Sequence, residues 1–514
     1  MISPLSPPRA PRPGTFAGIT RVPKCANALG LAALLGAPTV LAQYSPPPPL
    51  RPFPGFINEW LRKDDPYMAA WDIGGSARFR YELKDNIGIA GSPGSLDFRS
   101  QGADTDNTYF LERVRFRTGY SDKWWSVLAE GRSSLAQEDD RFASAGPVPR
   151  KGRGPESDSI DLHQAYFTLG NHKEFPLSFK VGRQELSYAD ERLVGAFAWN
   201  NIGRVFDAAK LRWQNEWFGA DLFGSRVVIP EDGRFNVAND YDWFSGLYAT
   251  SPKIPNHSLD FYFLARNANA QAALAVPSPQ APQPSARDIY TVGTRLKSAP
   301  GQFGPFDYTL EANGQFGHFN DTRAGILTRS QEHLAYAFTL QGGYTFTEST
   351  GSPRLGLEYS HASGDGNPAD DEHGTFENLF PTNHKFYGYM DFVSLQNIHN
   401  VRAIYQIKPH ARLSLAVEAH AFWLADTQDN FYNVAGLPRG GGAANAAGYG
   451  VNPSYSNYVG SEIDVILGFA LTRFAQLEAG YGHFFTGSYI DSSLQGAGGS
   501  QDANYVYLQL AINF

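Results

Sequence analysis

The chain has 514 residues, of which 14% are aromatic and only 18% charged, with 52 glycines and a formal net charge of −8. This composition suits many strands and turns better than helices, and neither Gly nor Pro recurs at the fixed period of a collagen-like fibre. The acidic balance, with basic residues scattered along the chain, excludes nucleic acid as a partner.

Residues 1–42 predict a secretory signal peptide. Four basic and no acidic residues accompany the apolar run ALGLAALLGAPTVLA, which ends on small residues suited to cleavage after Ala42. A membrane anchor is the alternative, but an anchor needs about 18 or more apolar residues. This run has 15 residues with a proline inside. Cleavage would also remove Cys25, the only cysteine, so we expect no thiol or disulfide chemistry.

The rest of the chain is predicted to form a Pro-rich periplasmic lead-in (43–66, with YSPPPPLRPFP at 44–54) and one outer-membrane domain (67–514). From Trp71 onward, segments of roughly ten residues alternate apolar and polar side chains, a pattern typical of a transmembrane β-barrel. Clear examples are GGSARFRYEL (74–83), YFLERVRFRTGY (109–120), RLSLAVEAHAFWLA (412–425) and SEIDVILGFAL (461–471).

The connections between these segments alternate between long and short. Nine long and eight short connections predict eighteen antiparallel strands, with both termini on the short-turn side. Outer-membrane barrels have this asymmetry, with short periplasmic turns and long external loops. A soluble β-sandwich would also have alternating strands, but it does not explain the regular alternation of loop lengths. One of the predicted long loops covers residues 319–332.

The last ten residues, YVYLQLAINF, predict the closing strand. Val506, Leu508, Leu510 and Ile512 share one face, which we expect to contact outer-membrane lipid, while the strand pairs with the first one so that no edge is left open. The final residue, Phe514, after alternating apolar positions, is similar to the signal that the barrel-assembly machinery recognises.

Alternation also assigns side chains to the lumen. Arginine at mid-membrane on a lipid face costs roughly 2–4 kcal/mol, so the basic faces of strands must point inward. Two interpretations remain open: these side chains form Arg–carboxylate ladders that brace the wall, or unpaired arginines make an anion-selective constriction. The lumen candidates are Arg78, Arg80, Arg113, Arg115, Arg117, Glu130, Arg132, Arg212, Glu462 and Asp464.

Several stretches resemble the alginate export family of outer-membrane β-barrels. They are KVGRQELSYADERLVGAFAWNN (180–201), RVFDAAKLRW (204–213), HGTFENLFPTNHKFYGYMDFVSLQNIHNVR (373–402), AHAFWLADTQD (419–429), VGSEIDVILGFAL (459–471) and GYGHFFTGSYI (480–490). The resemblance implies an eighteen-stranded barrel that passes an anionic polysaccharide through an electropositive constriction. It also implies that Arg183, in the GRQ motif, belongs to that constriction.

Two positions complicate the resemblance. Arg183 has the parity of the lipid-facing Phe179 and Val181, so a bulge near Gly182 is needed to turn it inward. At the start of LHQAYFTL (162–169) the family's alginate exporters carry an arginine, whereas this chain has His163 and Gln164. The implied substrate is therefore an anionic polysaccharide or sugar acid, rather than alginate in particular.

Other functions were weighed against the channel. A general or sugar-uptake porin is the main alternative, and a barrel hydrolase is the remote one, since no Ser, His and carboxylate set stands out. No cofactor is expected. Asp365, Asp370 and Asp371 in SGDGNPADDEHG are candidate Ca²⁺ ligands, but their spacing matches no known calcium loop, and a solvated external loop is the alternative. A periplasmic secretion partner at the short-turn side is a further candidate.

Overall fold

The structure is a computed structural model that describes residues 53–63, 65–87, 98, 106–139, 155–251, 253–274, 285–323, 326–384, 386–438 and 451–514. The predicted signal peptide and the part of the Pro-rich segment before residue 53 lie outside the described residues. Within the described ranges, every helix is too short or too polar to span a membrane.

Eighteen strands follow one another along the chain, and each is antiparallel to the next. The strands are β1 (Trp71–Asp85), β2 (Asn107–Ser121), β3 (Trp125–Gln137), β4 (Asp158–Leu169), β5 (Leu177–Gln184), β6 (Phe206–Gln214), β7 (Gly219–Ile229), β8 (Asp242–Ser251), β9 (Ser258–Ala268), β10 (Ala286–Phe303), β11 (Phe306–Arg323), β12 (Ile326–Thr345), β13 (Arg354–Ala362), β14 (Ile398–His410), β15 (Leu413–Leu424), β16 (Tyr458–Ala470), β17 (Ala475–Thr486) and β18 (Ala503–Asn513). The helices are α1 (Phe56–Lys63) and α2 (Ser488–Leu494), with 3-10 turns at Pro66–Ala70, Ala270–Leu274 and Gln495–Ala497 and two-residue strands at Val237–Ala238 and Glu372–His373.

The sheet closes because β18 pairs with β1. Their register runs from Ser76–Asn513 to Asp85–Asn504, and the Phe514 amide donates to the Gly75 carbonyl at 2.8 Å. Leu508 on the outer face is 49% exposed, whereas Tyr507 beside it is buried in the lumen. The prediction of a closed eighteen-strand barrel with an apolar outer face is therefore confirmed.

The connections follow the predicted alternation with one exception. The loop expected at 319–332 is replaced by a long hairpin, because β11 continues to Arg323 and β12 begins at Ile326. The polar sequence there suggests a loop, but antiparallel strands pair through their backbones and need no apolar side chains on a face that meets water. On the inner side, the Phe319 ring stacks on His373 of inner loop B at 4.0 Å between centroids. A register shift between Asp321 and Thr322 marks this extended part.

Two long connections fold into the barrel and fill much of the lumen. Inner loop A (185–205) joins β5 to β6, and inner loop B (363–397) joins β13 to β14. Their apolar side chains form one buried cluster with residues of the wall. For example, the Phe380 ring of inner loop B lies 5.4 Å from Phe206 and 4.9 Å from Phe244, measured between ring centroids.

Helix α1 lies at the short-turn end of the seam between β1 and β18. The Asn58 amide donates to Asp72 Oδ1 at 2.8 Å and accepts from the Ile73 amide at 3.2 Å. The Phe56 ring lies 6.4 Å from the Phe514 ring. The chain before β1 is therefore attached to the seam.

The assignment of the lipid-facing side of β18 can be tested by placing lysine at each of two adjacent positions. Leu508→Lys places a cation on the lipid face, at a cost of roughly 2–4 kcal/mol near mid-membrane, and should sharply reduce the amount of heat-modifiable barrel in the outer membrane. Gln509→Lys adds the same charge to the inner face, opposite Glu478, and should leave that amount close to wild type. Equal levels of the two variants would contradict the assignment of the faces.

Candidate functional site

The inner faces of β1 and β2 carry a group of arginines, as alternation predicts. Arg78 and Arg80 are buried inside the barrel, while the alternate residue Tyr81 is 43% exposed on the outside. On β2 the outward Val114 and Phe116 are likewise exposed. Arg78 lies directly opposite Arg113 in the register of the two strands. The remaining inward arginines of β2 are Arg115 and Arg117.

These arginines hold inner loop A. The Arg78 guanidinium donates to the Ala198 carbonyl at 3.0 Å and to the Asn200 carbonyl at 3.3 Å. Arg113 donates to the same two carbonyls, at 3.0 and 3.2 Å. Arg80 donates to the Trp199 carbonyl at 2.9 Å. Four residues in a row of the loop therefore lie against the arginine face of the wall, since the Asn201 side chain also accepts from Arg78.

Carboxylates pair with some of these cations and not with others. Arg80 bonds Glu82 at 2.6 Å, Arg117 bonds Asp72 at 3.0 Å, and Arg132 pairs with Asp158. Arg115 has Glu185 at 3.3 Å and Glu130 at 3.9 Å. Among the described residues, Arg78 and Arg113 form no ion pair with a carboxylate and bind only neutral oxygen atoms.

Trp199 connects the two inner loops. Arg80 lies over its ring at 3.8 Å from the centroid, and the His384 ring of inner loop B stacks on it at 4.0 Å with an interplanar angle of 9°. A parallel bridge between Val194 and Phe380 joins the loops again. The indole is thus held between the strand wall and the second loop, which makes the two loops one packed unit.

Charged groups inside inner loop A stabilise it further. Arg204 donates to the carbonyls of Phe380 and Pro381 at 2.7 and 2.8 Å, and burial lowers the pKa of its guanidinium to about 9. Burial would raise the pKa of the Glu185 carboxyl, but the hydrogen bond from His163 and the charge of Arg115 lower that pKa to about 2. Because its folded pKa is depressed, Glu185 stabilises the fold above its ordinary pKa, and this contribution is lost as the pH falls towards 2.

The acidic candidates on β16, which β17 and β18 separate from β1, also hold a loop. Glu462 and Asp464 are buried on the inner face of β16. The Met390 amide of inner loop B donates to Glu462 Oε1 at 2.9 Å, and the Tyr389 amide donates to Asp464 Oδ2 at 3.5 Å. These two carboxylates therefore accept hydrogen bonds from the loop backbone.

Arg183 lies apart from the arginine face. The pairing of β5 with β4 and β6 runs through Gly182 and Arg183 without a register shift, so the expected bulge is absent from β5. Gly182 has φ +122°, and a Cβ there would lie 2.2 Å from the Ala165 carbonyl oxygen. The Arg183 guanidinium bonds Asp207 at 2.8 Å and the Asn236 carbonyl at 3.0 Å. On β4 it also donates to the Leu162 carbonyl at 3.3 Å and lies 3.6 Å from Asp161 Oδ2. Its contacts are therefore with β4, β6 and the 230–241 loop.

Two register shifts of this region fall instead between β3 and β4. The first lies between Glu130 and Gly131, opposite His163, and the second lies between Arg132 and Ser134. His163 Nε2 bonds Glu185 Oε1 at 2.9 Å, and His163 Nδ1 bonds Arg132 at 3.2 Å. Arg212 on β6 pairs with Asp221 at 2.7 Å.

The calcium candidates belong to the hydrogen-bonded first part of inner loop B, where Asp365 is buried and Asp370 and Asp371 are exposed. The Asn367 amide donates to Asp365 Oδ1 at 3.0 Å, and the Glu372 amide donates to Asp370 Oδ1 at 2.9 Å. In the part of the chain that the structure describes, no group of three or more His, Cys, Asp or Glu side chains is placed to hold a metal ion.

Sequence reasoning did not find Trp199, Asn201 or His384. All three lie in stretches that carry the family resemblance, and this was the only signal that could have singled them out. Asn201 is fully buried, and its side-chain amide donates to the carbonyls of Glu112 and Leu135 at 3.0 and 3.1 Å. It attaches inner loop A to β2 and β3.

Replacing Asn201 by Ala should loosen inner loop A. The change leaves buried acceptors without their donor, which costs roughly 1–3 kcal/mol, so amides of residues 185–205 should exchange hydrogen at least about fivefold faster. Asn215→Ala in the β6–β7 turn, where Asn215 accepts from the amide of Trp217, is the matched control and should leave that exchange unchanged. Identical exchange in both variants would contradict the anchoring role.

Known proteins relate this geometry to a family. A family model described as alginate export matches residues 70–502. Among solved structures, OccAB1 of Acinetobacter baumannii is similar at 12% identity and a TM-score of 0.53, over 86% of this chain and 96% of that one. OccK5 (OpdH) of Pseudomonas aeruginosa is similar at 12% identity and a TM-score of 0.50, over 87% of this chain and 98% of that one.

These two structures are outer-membrane porins, and at such low identity they support the barrel fold alone. No curated protein sequence matches the chain. The family model, by contrast, spans most of the sequence, from the start of β1 to the loop before β18. The chain therefore belongs to the alginate export family, and it is an outer-membrane β-barrel channel protein.

Proposed function

We propose that this protein passes an anionic polysaccharide or another acidic saccharide through an arginine-lined, anion-selective pore in the outer membrane of a Gram-negative bacterium. The observation that carries the proposal is the pair Arg78 and Arg113. The two guanidiniums lie opposite each other in the register of β1 and β2, and both bind neutral carbonyls of inner loop A.

Carbonyl oxygens satisfy the N–H groups of a guanidinium without cancelling its charge. Guanidinium stays protonated at any physiological pH. Where arginines ring a pore, they favour anions over cations. Arg78 and Arg113 therefore keep uncancelled charges at the level of inner loop A. The neighbouring arginines are neutralised by carboxylates, which are Glu82, Glu130, Asp72, Glu185 and Asp158.

The chemistry of arginine supports an acidic saccharide as the permeant. Its planar fork matches a carboxylate with two parallel hydrogen bonds, and it offers the same fork to sulfate or phosphate esters. A chain of sugar acids would meet one such site after another. Conduction also requires each site to release the anion, so binding at any one arginine must be weak.

The proposed pore also contains arginine–carboxylate pairs that stabilise the barrel wall. Arg80, Arg115, Arg117 and Arg132 all have carboxylate partners, as a structural ladder requires. A general or sugar-uptake porin with such ladders is the alternative function, and it predicts a pore without anion preference. Family membership and the porin-like barrel support transport over catalysis.

Paired substitutions separate the charge of Arg78 and Arg113 from their hydrogen bonds. In planar bilayers, Arg78→Gln with Arg113→Gln should move the reversal potential in a salt gradient towards zero selectivity and weaken block by acidic polysaccharides. Arg78→Lys with Arg113→Lys keeps both charges but loses the forked bonds, so anion preference should persist.

Neutral polysaccharides serve as the control in the same experiment. Neutral polysaccharides of matched length should block wild type and both double variants equally weakly. The proposal is wrong if the Gln variant keeps the wild-type reversal potential, because the two arginines would then serve the loop alone.

A further inference from the structure

Arg226 lies on the outer face of the barrel, near the external end of β7. On this strand Asp221, Phe223 and Ser225 are buried on the lumen side, whereas Leu222 on the other face is 56% exposed to the surroundings. Arg226 has the parity of Leu222. It follows the lipid-facing part of the strand, towards the 230–241 loop, which is on the long-loop side of the barrel.

The side chain of Arg226 has an aromatic neighbour and no acceptor. Its guanidinium lies 4.2 Å from the centre of the Trp243 ring on β8. Among the described residues it takes part in no hydrogen bond or ion pair, and its Nε is buried without a partner. A buried donor without an acceptor costs free energy, so the Nε–H of this outward arginine favours an acceptor from outside the chain.

The nearest expected partner is engaged elsewhere. Asp207 on β6 is the cross-strand neighbour of Arg226. Its two carboxylate oxygens bind Arg183, at 2.8 Å from Nε and 3.2 Å from Nη2. The Arg183–Asp207 pair thus leaves Arg226 as a separate cation on the outer face.

The depth of Arg226 in the membrane identifies the ligand. Trp243 is 49% exposed on the outer face, and tryptophans on barrel exteriors mark the boundary between acyl chains and headgroups. Near that boundary an outward arginine costs only about 0–1 kcal/mol. Because the strand end lies on the long-loop side, this boundary belongs to the outer leaflet. Guanidinium binds phosphate through the same fork as carboxylate.

We propose that Arg226 and Trp243 form a binding site for a phosphorylated glycolipid of the outer leaflet. The guanidinium would bind the headgroup phosphate, while the indole holds the guanidinium in place by a cation–π contact and packs against the sugar or the acyl chains. Neither residue belongs to the arginine face of the lumen, so the site does not depend on the proposed permeant.

Retention of lipid A by the purified, delipidated barrel tests this site. Diphosphoryl lipid A should bind wild type more tightly than dephosphorylated lipid A. Arg226→Gln should weaken binding of the diphosphoryl form about tenfold, as expected for one charge-assisted fork. The matched control is Arg329→Gln, which removes an external arginine that already pairs with Asp371 at 3.5 Å, and this variant should bind lipid A as wild type does.

Three results would overturn the site. Equal binding of the phosphorylated and dephosphorylated lipids by wild type needs no variant and would exclude phosphate recognition. If the Arg226 and Arg329 variants lost lipid A binding to the same extent, the loss would be explained by the change in net charge alone. If inorganic phosphate at the same concentration as the lipid displaced lipid A, the ligand of Arg226 would be a free anion and not a lipid headgroup. Heat-modifiable gel mobility establishes that each variant is a folded barrel before binding is measured.

Discussion

Backbone hydrogen bonding in lipid is the constraint on which the rest of the molecule depends. An unpaired amide or carbonyl in the acyl-chain region costs several kcal/mol, so a spanning sheet must close. Here the closure joins β1 to β18 over ten residue pairs, from Ser76–Asn513 to Asp85–Asn504. Once the sheet is closed, each strand has one face towards lipid and one towards an enclosed volume, and charged side chains at the depth of the acyl chains must point into that volume.

Enclosure creates a second requirement, because buried guanidiniums need acceptors. The inner face of β1 and β2 offers too few carboxylates for its arginines, and the backbone carbonyls of inner loop A supply what is missing. The inner face of β16, on the other side of the seam, has the complementary need, since Glu462 accepts from the amide of Met390 in inner loop B. The arginine wall thus binds backbone carbonyls of inner loop A, and the acidic wall binds backbone amides of inner loop B.

The sequence allowed prediction of the strands but not of the loops, for a physical reason. Alternation is a property of neighbouring residues, so the arginine faces of β1 and β2 and the closing strand could be assigned correctly. The contact between Arg78 and Ala198 spans 120 positions, and no local pattern encodes it. The extended hairpin of β11 and β12 could not be predicted because its polar residues lack the alternation of a lipid-facing strand. The bulge was expected at Gly182 because alternation alone does not locate the register shift beside His163.

The contacts between the inner loops have a consequence for how the lumen changes shape. Val194 bridges Phe380, Arg204 donates to the Phe380 and Pro381 carbonyls, and Trp199 stacks on His384. Neither loop can leave the lumen without the other while these contacts last. Widening is therefore a cooperative, two-state event that breaks all of them together, and the current through one molecule should step between discrete levels instead of drifting continuously.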